Sequence, residues 1–463
     1  MIAVFTLCVA AAADTLTLDV LHRSVREHFP MIVAAQRELA MAEAERLAAD
    51  GGFDPRFVSR LTGDVTGNYR GLVFDTAIEQ PTPLWGASVF TGYRLGVGAF
   101  PDYEGKDVTG SAGEIRAGVN VPLLRNGPID RTRAAVKRSE IARERALAGV
   151  AATELEALRV ASNRYYAWIG AASKLRLAEQ MLALATERQS GLASRVAAGD
   201  LPLVERIDNE RAIAQRRAQL ASAERALEQA AIDLSLYLRD AQGAPMTPNR
   251  TNALNELVEP TLDLSALEAL KQRARNARPD LLRLRAVVRD SRVDLGLQKN
   301  QLWPALDVRA TAAQDLGLVD PGRRQFELQV GVVLDLPLAF RFQRGRVLAA
   351  EASVARNEML LQMQEERAVN EVQDAASAAR MAHQRIAATR EEVSLADELA
   401  RLERSRFQLG ESTVLFVNIR EQASIEARVR QVDALVDAHR ALVDLEAASG
   451  AFPTSSPNAA SIP

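Results

Sequence analysis

The feature that most constrains this chain is an internal repeat whose pieces keep their order along the sequence. Residues 18–57, opening LDVLHRSVREHFPMI, match residues 267–306, opening LEALKQRARNARPDL, with Pro30 on Pro279 and Pro55 on Pro304. The segment VPLLRNGPIDRTRAA (121–135) matches LPLAFRFQRGRVLAA (336–350), laying Pro122 on Pro337, Arg131 on Arg346 and Ala134 on Ala349. A third pair is RVAAGDLPLVERIDNERA (195–212) with RFQLGESTVLFVNIREQA (406–423). It sets Arg195, Gly199, Asp200, Glu210 and Ala212 on Arg406, Gly410, Glu411, Glu421 and Ala423. The chain therefore reads as two copies of one unit, approximately 14–238 and 262–449. The offset between copies falls from 249 at Pro55 to 215 at Pro122, so the first copy carries 34 more residues between those prolines. That is room for one more β-hairpin.

From Pro128, a favoured first helical residue, to about Val196 there is no further proline, and glycine occurs only at 149, 170 and 191. A helix of roughly 70 residues is about 105 Å long, far beyond a typical globular helix. Residues 346–408 form its counterpart. Each run meets a glycine, Gly199 or Gly410, and then a second helical run ending near Leu238 or Ala448, which makes an αα-hairpin. Segments 15–50 and 263–302 also read as helical and supply the length that the returning arms lack. The helices alone fit a soluble coiled-coil protein equally well.

The alternating segments separate the two readings. Leu328, Val330, Val332, Leu334 and Leu336 share one face, opposed by Glu327, Gln329, Gly331, Val333 and Asp335. Residues 114–123 repeat this, with Ile115, Ala117, Val119, Val121 and Leu123 against Glu114, Arg116, Gly118 and Asn120. Segments 53–65 and 304–313 alternate too, with Arg56, Arg60 and Asp64 on one side in the first copy and Asp307 and Arg309 in the second. Within the extra stretch, 72–98, Trp85, Ala87, Val89, Thr91, Tyr93, Leu95 and Val97 share a side, and Leu72, Phe74, Thr76 and Ile78 can form the partner strand. Period-two segments of about ten residues with charges on the second face are the mark of a transmembrane barrel with a wet lumen. Trp85, Tyr93 and Trp303 near strand ends suit an aromatic girdle. Four to six strands cannot close around a channel, so several copies must contribute.

The first thirteen residues, MIAVFTLCVAAAA, are apolar and end in small residues, with Ala11 and Ala13 placed for cleavage, which reads as a secretory signal lacking its positive n-region. Cys8, the one cysteine, would leave with it; its other reading is a lipid-attachment cysteine, against which stands the bulky Leu7 where such signals want a small residue. No segment has eighteen consecutive apolar residues. The 57 basic and 60 acidic residues are mixed along the chain, without the basic block that nucleic acid requires. The four histidines, at 22, 28, 383 and 439, show no metal-ligand spacing, and no catalytic motif is present, so neither cofactor nor enzymatic activity is expected. The tail 450–463 is rich in proline and serine and reads as disordered.

From about residue 15 to 449 the sequence resembles the TolC-like outer membrane efflux proteins, most clearly in ARPDLLRLRAVVRDSRVDLGLQKNQLWPALDVRA (277–310) and the two R-x-x-x-G turns with a helix behind them. The resemblance implies a mainly α fold with a membrane β-barrel contribution. Long helical hairpins would form a periplasmic α-barrel, and four strands per protomer, or six with the extra hairpin, would enter a barrel shared by a homotrimer in outer-membrane lipid. It implies a passive exit duct, joined by a periplasmic adaptor to an inner-membrane pump of RND or ABC type. It puts Arg195, Gly199, Arg406 and Gly410 at the periplasmic tips that an adaptor grips. Where the family often places acidic residues at a constricted entrance, this sequence has Phe416 and Ile419, flanked by Asn418 and Arg420. Glu205 and Asp208 of the first copy are further candidates for narrowing the pore. The competing expectation is a periplasmic coiled-coil scaffold that binds partners and transports nothing.

Overall fold

A computed structural model describes residues 15–63, 66–67, 69–101, 108–253, 257–318 and 326–450. The leader with Cys8, the tail after Gly450 and Asp64 lie outside the described residues. The elements run α1 (Leu18–His28), α2 (Pro30–Asp50), β1 (Arg56–Gly63), β2 (Gly71–Pro81), β3 (Ser88–Gly98), β4 (Glu114–Pro122), α3 (Arg131–Ala197) and α4 (Leu203–Ser235). The second copy supplies α5 (Leu267–Ala277), α6 (Pro279–Asn300), β5 (Ala305–Asp315), β6 (Glu327–Asp335), α7 (Arg341–Gln408) and α8 (Val414–Ala448).

The segments 15–50 and 263–302, read as helical, each consist of two helices. Pro30 and Pro279 begin α2 and α6, with Phe29 and Arg278 left in extended conformation before them. Proline has no N–H for the carbonyl four residues back, and its ring disfavours helical geometry in the preceding residue. The long helix of the first copy starts at Arg131 rather than Pro128 because Asp130 caps it: the Arg133 N–H donates to Asp130 Oδ1 at 2.8 Å.

The chain divides into two compact units, each formed from both copies. The first is Met1–Gln36, Gly149–Leu281 and Gln364–Pro463. Its core gathers Leu21 and Val25 of α1, Leu158, Trp168 and Ile169 of α3, and Leu234 of α4, all fully buried. His22 lies in this core with its Nε2 2.7 Å from Ser162 Oγ, and the Tyr165 hydroxyl donates to the Leu16 carbonyl at 2.8 Å. Smaller apolar clusters, such as Val372 and Ala376 with Ala274 and Leu445, continue the packing. Alanine is frequent along these seams because it lets helix backbones approach closely.

The second unit is Arg37–Ala148 and Leu282–Met363. It contains one six-stranded antiparallel sheet in sequence order, β1 to β6. α2 leads into β1, β4 leads to α3, α6 leads into β5 and β6 leads to α7, all at one end of the sheet. The β2–β3 turn is at that end, and the three other connections are at the opposite end. No helix among the described residues is long and apolar enough to cross a membrane.

Candidate functional site

Register sorts the side chains of the sheet into two unlike faces. One row crosses all six strands as Phe57, Ile78, Thr91, Ala117, Ala312 and Leu328. Beside it lie Leu61, Phe74 and Leu95 toward one end, and Val89, Val119, Ala310 and Val330 toward the other. Every strand thus turns apolar residues to the same side, and many of them are exposed, including Phe57, Ile78, Val97, Ile115 and the Leu328, Val330, Val332, Leu334 series. A contiguous apolar surface of this kind is foreign to a soluble monomer.

The opposite face is charged. Its middle row reads Arg60, Asp75, Arg94, Glu114 and Asp315. Arg94 donates from Nε and Nη2 to Glu114 Oε2 at 3.0 and 2.6 Å, and Arg116 pairs with Asp75 while its guanidinium lies 5.9 Å from the Phe90 ring centre. At the end joined to the helices, Arg56 meets Glu79 at 3.1 Å. The period-two arrays read from the sequence are strands of one sheet, and β2 is the partner of β3 as expected, with Ile78 opposite Thr91 and Phe74 opposite Leu95. Strand β1 is shorter than 53–65, since Gly51–Phe53 form a 3-10 turn. Trp85 and Ala87 belong to the β2–β3 turn rather than a strand, Trp85 with a φ of 53°. Trp85 and Trp303 are exposed at the end where the helices join; Tyr93 is nearer the other end, donating to the Ala112 carbonyl at 2.9 Å.

In the first unit, the two interhelical turns are built alike. Gly199 and Gly410 have φ of 83° and 78°, a region open to glycine at no steric cost. The Asp200 N–H donates to the Arg195 carbonyl, and the Glu411 N–H to the Arg406 carbonyl, both at 2.9 Å. A Cβ added to either glycine would meet nothing within 4 Å, so backbone conformation alone calls for glycine. Arg195 stacks 5.8 Å from the ring centre of Phe407, which links the two turns.

The six candidates for a constriction separate by burial. Phe416, Ile419 and Arg420 are exposed on one side of α8, and Asp208 is half-buried, 3.9 Å from Arg211. Glu205 and Asn418 are only 8 % and 7 % exposed and cannot line a lumen, a correction to their reading as pore residues. Glu205 instead caps a helix of the other copy: the Val414 N–H donates to its Oε2 at 2.6 Å. Asn418 accepts from Arg188 Nη1 at 2.9 Å and Arg216 Nη2 at 3.4 Å.

These arginines belong to a buried cluster that sequence reasoning missed. Glu421, 3 % exposed, pairs with Arg188 through Oε1 and with Arg216 through Oε2, the latter at 3.1 Å. Arg216, also 3 % exposed, donates to the Met181 carbonyl at 3.0 Å. Burial holds its guanidinium below the usual arginine range, with Glu421 acting against that shift. The repeat had marked Glu421 as the counterpart of Glu210, but nothing in the run ERAIAQRRAQ distinguishes Arg216 from its solvated neighbours.

Residues 270–451 match the sequence profile of a family described as outer membrane efflux protein. Over that stretch the chain is similar in sequence to the outer membrane efflux proteins. No curated protein matches the chain in sequence. Solved structures share its fold across nearly the whole length. The outer membrane protein VceC of Vibrio cholerae is 19 % identical with a TM-score of 0.65, covering 94 % of this chain and 96 % of that one. A membrane protein from Pseudomonas aeruginosa is 19 % identical, TM-score 0.64, covering 93 % of each. The MtrE outer membrane channel of Neisseria gonorrhoeae, in its open state, is 15 % identical, TM-score 0.63, covering 94 % of this chain and 88 % of that one. The mainly helical fold with a β-sheet contribution that the resemblance implied is the fold these structures share.

Proposed function

We propose that this protein is an outer membrane efflux protein, the exit duct of a tripartite efflux or type I secretion system, conducting its cargo passively from an inner-membrane pump to the exterior. The observation that carries the reading is the two-faced sheet. Its apolar side suits lipid, its charged side suits a wet lumen, and a periplasmic scaffold has no use for the apolar side. Six strands are fewer than the eight of the smallest known membrane barrels, so the sheet closes only with further copies, and a homotrimer agrees with the family. The helices reach back to a periplasmic adaptor, which grips the turns at Arg195, Gly199, Arg406 and Gly410. Phe416, Ile419 and Arg420, with Asp208 of the first copy, narrow the entrance. Arg420 and Asp208 offset each other in charge, so this rim differs from a ring of carboxylates that would collect cations. Energy and cargo choice belong to the pump, and the chain itself performs no catalysis.

Deletion of the gene should abolish export of the cognate cargo, and the protein should fractionate with the outer membrane and migrate differently on gels before and after heating. Recovery as a soluble periplasmic monomer would refute the duct.

A further inference from the structure

The repeat equates β1 with β5, through Pro55 and Pro304, and β4 with β6, through Pro122 and Pro337. In the second copy the two equivalents pair directly, β5 with β6. In the first, β2 and β3 stand between them: β2 is hydrogen-bonded to β1 and β3, and β3 to β2 and β4. The extra 34 residues are therefore spliced into the sheet. A hairpin folded over the sheet as a cap or plug would have left β1 on β4. Both added strands also keep the face rule of their neighbours, with Phe74, Ile78, Val89 and Val97 on the apolar side and Asp75, Glu79 and Arg94 on the charged side.

Resting on the trimeric duct reading, we infer that the inserted hairpin forms part of the barrel wall, and that β6 of each copy pairs with β1 of the next to close eighteen strands. Among the described residues β1 and β6 each have one neighbour, leaving the backbone groups of their outer edges for a partner strand. With an even number of alternating strands per copy, β6 meets the next β1 antiparallel. The edges carry opposite charge on the lumen face, Arg56 and Arg60 on β1 against Glu327 and Asp335 on β6. On the lipid face Phe57 and Leu61, 72 % and 64 % exposed, meet Leu328, Val330 and Val332. At a strand spacing near 4.8 Å and a tilt of about 40°, eighteen strands give a backbone radius of about 18 Å, against about 12 Å for twelve. The second copy's arrangement, used twice, would yield only twelve.

Two experiments in the full chain, made with Cys8→Ser, test this. Phe57→Cys combined in turn with Leu328→Cys, Val330→Cys, Val332→Cys or Leu334→Cys covers the registers that set Phe57 opposite a lipid-face residue of β6. Oxidation should give a disulfide ladder ending at the trimer in at least one combination. In outer-membrane vesicles, Ala77→Cys on the charged face should react with a charged thiol reagent at least about ten times faster than Thr91→Cys on the lipid face, because the reagent does not enter the bilayer core. A trimer in which no combination cross-links, a ladder that stops at the dimer, or Thr91→Cys reacting as fast as Ala77→Cys would overturn the eighteen-strand wall while leaving the duct intact. Absence of the protein from the outer membrane would bring down the duct reading itself.

Discussion

Replacing Glu421 by glutamine keeps its shape and removes the one anion between Arg188 and Arg216. Both oxygens of the carboxylate are in use, Oε1 toward Arg188 and Oε2 toward Arg216, and water reaches little of the cluster. Breaking a buried pair by neutralising one partner costs about 3–5 kcal/mol, because the remaining charge stays desolvated. The amide oxygen can still accept one bond, and Arg216 retains the Met181 carbonyl, which favours the lower end, about 3 kcal/mol. At 1.36 kcal/mol per decade this is roughly a hundredfold. Amide hydrogen exchange of the intact protein reads it locally: protection in the first turns of α8, around Val417 to Ile425, should fall by about two decades. Glu426→Gln, on the exposed side of the same helix, should change protection less than about threefold. Adding Arg216→Met to Glu421→Gln should recover most of the loss, since one stranded cation is gone. A loss under threefold for Glu421→Gln, or an equal loss for Glu426→Gln, would refute the argument that desolvated charge is what the cluster balances.

Acid should loosen the core around α1. Burial, with the nearby Arg26 charge adding to it, lowers His22 from 6.5 to about 4, so between these values the unfolded chain binds the proton and the folded chain does not. Stability is then complete above pH 6.5 and falls by up to about 3 kcal/mol as pH drops toward 4; protection of α1 amides should follow that curve, and His22→Gln should flatten it. Alanine at Gly199 or Gly410 forces a side chain into positive φ at about 1–2 kcal/mol, visible as faster exchange in the turn while export falls if the adaptor grips there. Val330→Arg, on the apolar face of β6, should cost about 2–4 kcal/mol of barrel stability in urea titration from lipid. Gly331→Arg, one residue on and with open space at its Cβ, should be nearly neutral; equal effects would mean the faces are assigned wrongly.

Repetition and period determined much of this protein without any coordinates. Residues that recur in order must fold into recurring elements, so two helical hairpins, their glycine turns and the place of the extra hairpin could be read from Pro55, Pro122, Gly199 and their counterparts. Alternation along β2 and β3 fixed which residues share a face because side chains in a strand point to opposite sides by turns. Chain breaks were legible in principle at Pro30 and Pro279, where local sterics act within a single residue. What the sequence left open was every relation that depends on which helix lies beside which. Glu205 and Phe416 occupy equivalent places in the repeat, yet one is buried as a cap on α8 and the other is exposed. Arg216 looks like any charge on an alanine-rich helix until Glu421, 205 residues later, is brought against it. Periodicity registers the side of an element, whereas burial of a charge depends on the opposing surface, and only tertiary packing supplies that surface.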